Sequence, residues 1–90
     1  MMLRKSLRHY KKLDPQPVAQ FVKTANQFRS EVSLEQSGHK VNGKSMMSVM
    51  ELANRHGGEL IIEVEGEDAP RAMEVLSNLL KPDSVSGSEE

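Results

Sequence analysis

Two apolar rhythms alternate along the chain. From Val18, the apolar residues Phe21, Val22, Ala25 and Phe28 recur at helical spacing. Asp14 before Pro15 suits an N-cap with proline in the first turn, so a first helix is expected to start there. Glu31-Val32-Ser33-Leu34-Glu35 then switches to period two, the pattern of a half-buried strand. Gln36-Ser37-Gly38-His39 reads as a hairpin turn and Lys40-Val41-Asn42 as a short return strand. Ser45 stands before Met46-Met47-Ser48-Val49-Met50-Glu51-Leu52-Ala53, a short helix with Ser45 as N-cap and Gly57-Gly58 as its stop. Glu59 to Glu65 is the clearest strand, with Leu60, Ile62 and Val64 on one face. Gly66-Glu67-Asp68 turns into a last helix, where Ala69, Ala72, Met73, Leu76, Leu79 and Leu80 form an apolar stripe that Pro82 ends. At the front, Leu3 to Tyr10 is a weaker strand, with Leu3 and Leu7 on one face among charged residues. The order β-α-β-β-α-β-α defines an α+β fold, a four-stranded antiparallel sheet with three amphipathic helices on one face. One domain is expected over 1–81, followed by a flexible acidic tail over 82–90.

Composition narrows the chemistry. In 90 residues the only aromatics are Tyr10, Phe21 and Phe28, so the core is thin. The absence of cysteine excludes disulfides, thiolate metal sites and thiol catalysis, and fits a cytoplasmic location. No apolar run approaches the roughly 20 residues of a bilayer span, and Met1-Met2-Leu3-Arg4-Lys5 is not followed by the apolar stretch of a signal peptide. No membrane association is expected. The overall charge of −1 hides an asymmetry: residues 1–29 carry seven basic residues against Asp14 alone, for +6, and residues 30–90 carry −7. Either the two halves neutralise each other on folding, or the first half presents a basic face to an acidic partner.

Few residues carry recognisable catalytic chemistry. His9, His39 and His56 lack the spacing of a metal-ligand set, and no nucleophile elbow, P-loop or dinucleotide fingerprint occurs. No metal or cofactor is expected. The basic N-terminal segment lacks interleaved aromatics for base stacking, so direct nucleic-acid binding is not expected. The short second helix is more informative. Val49, Leu52 and Ala53 can face the sheet together, while Met46 and Met50 lie on another side with Met47 between them. A helix this short cannot bury both faces against one sheet. Its methionines are therefore either exposed for partner docking, or covered by a loop or the first helix. Ser45 is an N-cap, and a phosphate added at a helix N-terminus would also meet free amides and the positive end of the dipole.

Three stretches carry a family resemblance: Phe21-Val22-Lys23-Thr24-Ala25-Asn26-Gln27-Phe28, Val41-Asn42-Gly43-Lys44-Ser45-Met46-Met47-Ser48-Val49-Met50, and Glu65-Gly66-Glu67-Asp68. From about Leu13 to Leu80 the chain resembles HPr, the phosphocarrier protein of the bacterial sugar phosphotransferase system. The resemblance implies an open-faced β-sandwich. It also sets Lys12-Leu13-Asp14-Pro15-Gln16-Pro17 against the family's motif Gly-Leu-His-Ala-Arg-Pro. Asp14 then stands where the phospho-accepting histidine is expected, Pro15 replaces alanine, and Gln16 replaces the arginine that holds the phosphoryl group and contacts the repressor. A carboxylate cannot replace the imidazole nucleophile at equal energy, so histidine phosphotransfer is expected to be absent and the protein not to be an enzyme.

The family branch that lacks the histidine and keeps the serine, the Crh type, is the nearest functional analogue. It implies phosphorylation of Ser45 by HPr kinase/phosphorylase and docking on a LacI-type catabolite repressor through a surface holding Gln16, Gln20, Met46, Met47 and Met50. Two other readings stay open. One is a non-transferring decoy that binds Enzyme I. The other is an unrelated interaction module that binds through Arg4, Lys5 and Arg8. The resemblance also implies a monomer or a dimer formed by exchange of the first strand.

Overall fold

The computed structural model describes residues 1–55 and 58–82. The expectations for His56, Gly57 and the tail from 83 to 90 lie outside them. The elements are β1 (Met2–Leu7), α1 (Pro15–Ala25), β2 (Glu31–Gln36), β3 (His39–Asn42), α2 (Met46–Ala53), β4 (Leu60–Glu65) and α3 (Ala69–Leu79). The expected order and α+β class are present. The strands form one antiparallel sheet in the order β1-β4-β2-β3, and the three helices cover one face.

Register explains the core. Leu60, Ile62 and Val64 of β4 point inward with Leu34 and Val32 of β2, and all five are buried. Val18, Phe21 and Ala25 of α1, Val49 and Leu52 of α2, and Ala72, Met73 and Leu76 of α3 complete the core from the helical side. The β2–β3 hairpin turns on Ser37 and Gly38, with φ values of +54° and +79°. Positive φ at both central positions is the geometry that matches strand twist in a two-residue loop. Gln36 and His39 therefore belong to the strands rather than to the turn.

β1 is shorter and earlier than the expected Leu3–Tyr10. It ends at Leu7, and Tyr10 leaves the sheet to bond elsewhere. Its alternation also separates the three basic residues proposed as one surface. Arg4 lies on the outer sheet face opposite Glu63, whereas Lys5 lies on the helix side opposite Ile62. Arg4 pairs with Glu63 at 3.2 Å and Glu35 at 3.9 Å, and Arg8 pairs with Glu59 at 3.3 Å. The basic first half is thus neutralised in part by the acidic second half.

Lys40 of β3 reaches Glu63 at 2.6 Å, so Glu63 joins cations from both edge strands. The Lys40 hydrogen bond holds the Glu63 carboxyl below its ordinary pKa, and the same bond raises the Lys40 ammonium. Asp68 accepts from the backbone N–H of Arg29 at 2.9 Å and of Ser30 at 3.0 Å, and from the Ser30 hydroxyl. The Ser30 hydroxyl is the main cause of its lowered pKa, with the Arg29 N–H next.

Because the Asp68 and Glu63 values are depressed, their contributions are present above the unfolded carboxylate pKa and vanish as pH falls through the folded values. Lys40 behaves oppositely: its contribution is present below the unfolded lysine value and is lost as pH rises through the folded one. Urea midpoints measured from acid to neutral pH should therefore fall on acidification, and the fall should be shallower in Asp68→Asn. An unchanged acid limb in that variant would show that Asp68 is not a titrating latch.

Candidate functional site

The starts of α1 and α2 differ in how many backbone donors they offer. The first three residues of a helix have N–H groups with no intrahelical partner. In α1 these positions are Pro15, Gln16 and Pro17, so Gln16 alone supplies an N–H. The next amide, of Val18, already bonds the Asp14 carbonyl at 3.0 Å. Asp14 is the N-cap by position, with extended φ and ψ of −76° and 164°, yet its side chain makes no cap hydrogen bond. With a donor missing at Pro15 and Pro17, the carboxylate has little to cap.

The start of α2 keeps all three donors, on Met46, Met47 and Ser48. Ser45 Oγ accepts from the Ser48 N–H at 3.3 Å, as its N-cap role requires. The loop that presents Ser45 is held from several sides. Asn26 Nδ2 donates to the carbonyls of Val22 at 2.8 Å and Lys44 at 3.1 Å, joining the end of α1 to this loop. Lys44 Nζ donates to the Phe28 carbonyl at 2.8 Å, and the Gly43 N–H to the Val32 carbonyl at 2.7 Å. A Cβ on Gly43 would sit 2.7 Å from Val32 Cγ1, so only glycine lets the loop lie this close to β2.

The methionine alternatives resolve residue by residue. Met47 is 83% exposed and Met46 37% exposed, while Met50 is half-buried and packs on the core. Gln16 and Gln20 are exposed on the first turns of α1. Together, the expected docking residues comprise two exposed amides, two exposed thioethers and one half-buried thioether. The described residues contain no group of three or more acidic, histidine or cysteine side chains able to hold a metal. His9 is exposed, and His39 is a half-buried strand residue.

An open depression of about 500 Å³ lies beside the start of α1. Lys12 and Asp14 line it from the loop, Met50 and Arg55 from α2 and its C-terminal side, and Tyr10 and Gln36 from beneath. Gln36 Nε2 donates to the Tyr10 hydroxyl at 2.6 Å, which donates to the Gly58 carbonyl at 3.2 Å. The Lys11 N–H meets the Leu80 carbonyl at 2.7 Å, tying this loop to the end of α3. Sequence reading passed over Tyr10, Gln36, Asn26 and Arg55. No local pattern marks them, because each acts across a long sequence separation.

Comparison with known proteins fits this geometry. The family model of the HPr component of the phosphotransferase system, described by its phosphorylation site, matches residues 7–82. The chain is 46% identical over 65 residues to the HPr-like protein Crh of Bacillus subtilis, covering 72% of this chain and 76% of that one. The crystal structure of the phosphocarrier protein HPr from Bacillus anthracis superposes with a TM-score of 0.80 at 36% identity, over 89% of this chain and 98% of the other. That of Bacillus subtilis Crh, a swapped dimer, gives 0.67 at 42% identity over 81% and 84%. The chain belongs to the HPr family, whose members are phosphocarrier and HPr-like regulatory proteins rather than catalysts. No helix among the described residues is long and apolar enough to cross a membrane.

Removing the Ser45 hydroxyl should cost about 1 kcal/mol through loss of the N-cap, with Ser45→Asp retaining most of it. Thermal denaturation of the two variants measures this. No loss in Ser45→Ala would mean that Oγ does not cap α2.

Proposed function

We propose that this protein is a regulatory, non-transferring member of the HPr family, acting in the cytoplasm through its 1–81 domain and switched by phosphorylation of Ser45. The observation that carries this reading is the contrast between the two helix starts. An anion at a helix N-terminus is held by free backbone N–H groups and the dipole. At α1 the prolines leave one such N–H, and Asp14 adds negative charge at the position of the family's phosphohistidine. At α2 the N–H groups of Met46 and Met47 stay free behind Ser45, beside the Ser48 N–H that its Oγ caps.

Phosphorylated Ser45 would bring about −1.5 to −2 charge to the α2 start, directly beside exposed Met46 and Met47. Partner docking then uses Gln16, Gln20, Met46, Met47 and Met50, with an HPr kinase/phosphorylase adding the phosphate and a LacI-type repressor as the reader of the modified form. Enzyme I binds, if at all, without transfer. The swapped Crh dimer supports a monomer–dimer alternative in which β1 is the exchanged strand, since β1 contributes only the half-buried Leu3 and Leu7 to the core.

Incubation with HPr kinase/phosphorylase and ATP should add one phosphate by mass spectrometry, absent in Ser45→Ala. Incubation with phosphoenolpyruvate and Enzyme I should add no acid-labile phosphate. Failure of the first result removes the serine switch. Transfer from Enzyme I through this protein to a sugar-specific acceptor would overturn the non-transferring reading.

A further inference from the structure

One peptide unit between α1 and β2 is gripped at both ends by opposite charges. The N–H of Arg29 donates to Asp68 Oδ2 at 2.9 Å. The carbonyl of the same unit, on Phe28, accepts from Lys44 Nζ at 2.8 Å. A peptide group is positive at its N–H and negative at its carbonyl, so the carboxylate and the ammonium each meet the end that attracts it. Charge-assisted bonds are stronger than neutral ones, and bonds in series polarise one another. Asp68 at the start of α3 and Lys44 in the loop before α2 are thus linked through a single amide.

Both ends of this bridge are tied to it by more than one bond. Asp68 is the N-cap of α3 by position, yet its side chain makes no cap bond to its own helix. Its second oxygen, Oδ1, accepts instead from the Ser30 N–H at 3.0 Å and from the Ser30 hydroxyl. Lys44 is fixed along its whole length. Its N–H donates to Asn42 Oδ1 at 2.9 Å, its carbonyl accepts from Asn26 Nδ2 at 3.1 Å, and its half-buried side chain ends on the Phe28 carbonyl. The next residue is Ser45, whose own N–H reaches the Asn42 carbonyl at 3.2 Å.

We infer that Asp68 is a positioning residue for Ser45, acting through the 28–29 peptide unit and Lys44. This rests on the reading of Ser45 as the switched residue, and it adds a remote determinant of how that serine is presented. The Asp68 carboxylate holds the amide, the amide holds Lys44 Nζ, and Lys44 holds the entry to α2. Without the carboxylate the amide is free to rotate, Lys44 loses its fixed acceptor, and the loop spends less time in the form in which Ser45 caps α2. A modifying enzyme that recognises the folded loop then meets a smaller competent fraction. Its apparent affinity falls in proportion, while turnover of the bound protein does not.

The test is amide hydrogen exchange on the full-length protein, read against the core amides of β4 so that local opening is separated from global unfolding. In Asp68→Asn the amides of Gly43, Lys44 and Ser45 should exchange about tenfold faster than in the parent, the loss of one charge-assisted bond. Lys44→Met should speed the same amides and, because coupling is reciprocal, those of Arg29 and Ser30 as well. The double variant should be no faster than the more affected single one, since both changes break one bridge. With HPr kinase/phosphorylase and ATP, Asp68→Asn should raise the KM for the protein at least about fivefold at unchanged kcat. Ile62→Val, a core change that also lowers stability, should leave that KM at the parent value. The inference is overturned by parent-like exchange at 43–45 in Asp68→Asn, by unmoved Arg29 and Ser30 amides in Lys44→Met, by additive effects in the double variant, or by an equal rise of KM in Ile62→Val. A parent that takes up no phosphate removes the serine switch instead, and the exchange cycle still decides whether Asp68 holds the loop.

Discussion

The structure depends on β4 being paired on both edges while only one face of the sheet is covered. Its inward residues Leu60, Ile62 and Val64 are fully buried, and β1 and β2 both take their register from it. Burying each such side chain contributes roughly 1.5–3 kcal/mol, and a one-residue slip would turn all three to solvent. That register also sets the last row of the sheet, where Leu7, Leu60 and Gln36 lie side by side. The depression forms past this row, where the chain leaving β1 bonds through Tyr10 to Gln36 and the α1 start meets the end of α2. The site is thus a consequence of where the sheet stops, and its residues need share no sequence neighbourhood.

Two helix starts in one small domain face the same physics with opposite sequences. Proline at N1 is favourable for helix initiation because it fixes φ and gives up an N–H that has no helical partner. The orphan N–H groups it removes are nevertheless those that bind anions. Pro15 and Pro17 therefore help to start α1 while leaving its end poor as an anion cradle. The α2 start makes the other choice. Ser45 caps one amide, Asn26 and Gly43 hold the preceding loop in place, and nothing removes the remaining donors.

The amphipathic periods of α1 and α3 and the alternation of β4 made most of the fold legible, because the side chains that repeat are those that pack on one core. The limits of β1 were not legible. An edge strand with Arg4 outward and exposed Lys5 inward has charges on both faces, so its alternation is blurred, and Tyr10 looked like a continuation of the strand until its bond to Gln36 was seen. The Ser45 cap could be read locally. The depression could not: Arg55 reads as one more charge near a helix end, and Gln36 as a turn residue. Each gains meaning only when the hairpin tightens to Ser37-Gly38 and the sheet brings β2 and the end of α2 beside Asp14.

The charge split along the chain divides in the same way. Arg4 and Arg8 belong to a neutralised sheet edge, held by Glu63, Glu35 and Glu59, and contribute little field to a partner. Lys12 lies outside those pairs, and Arg55, from the acidic half of the sequence, joins it in space. Among the described residues, Lys5, Lys23 and Arg29 of the first half also stand outside the ion pairs, so part of the basic excess stays unneutralised. The α2 start, with its amides intact, accepts charge placed on Ser45 itself. Met50 lines the depression and belongs to the helix that Ser45 caps.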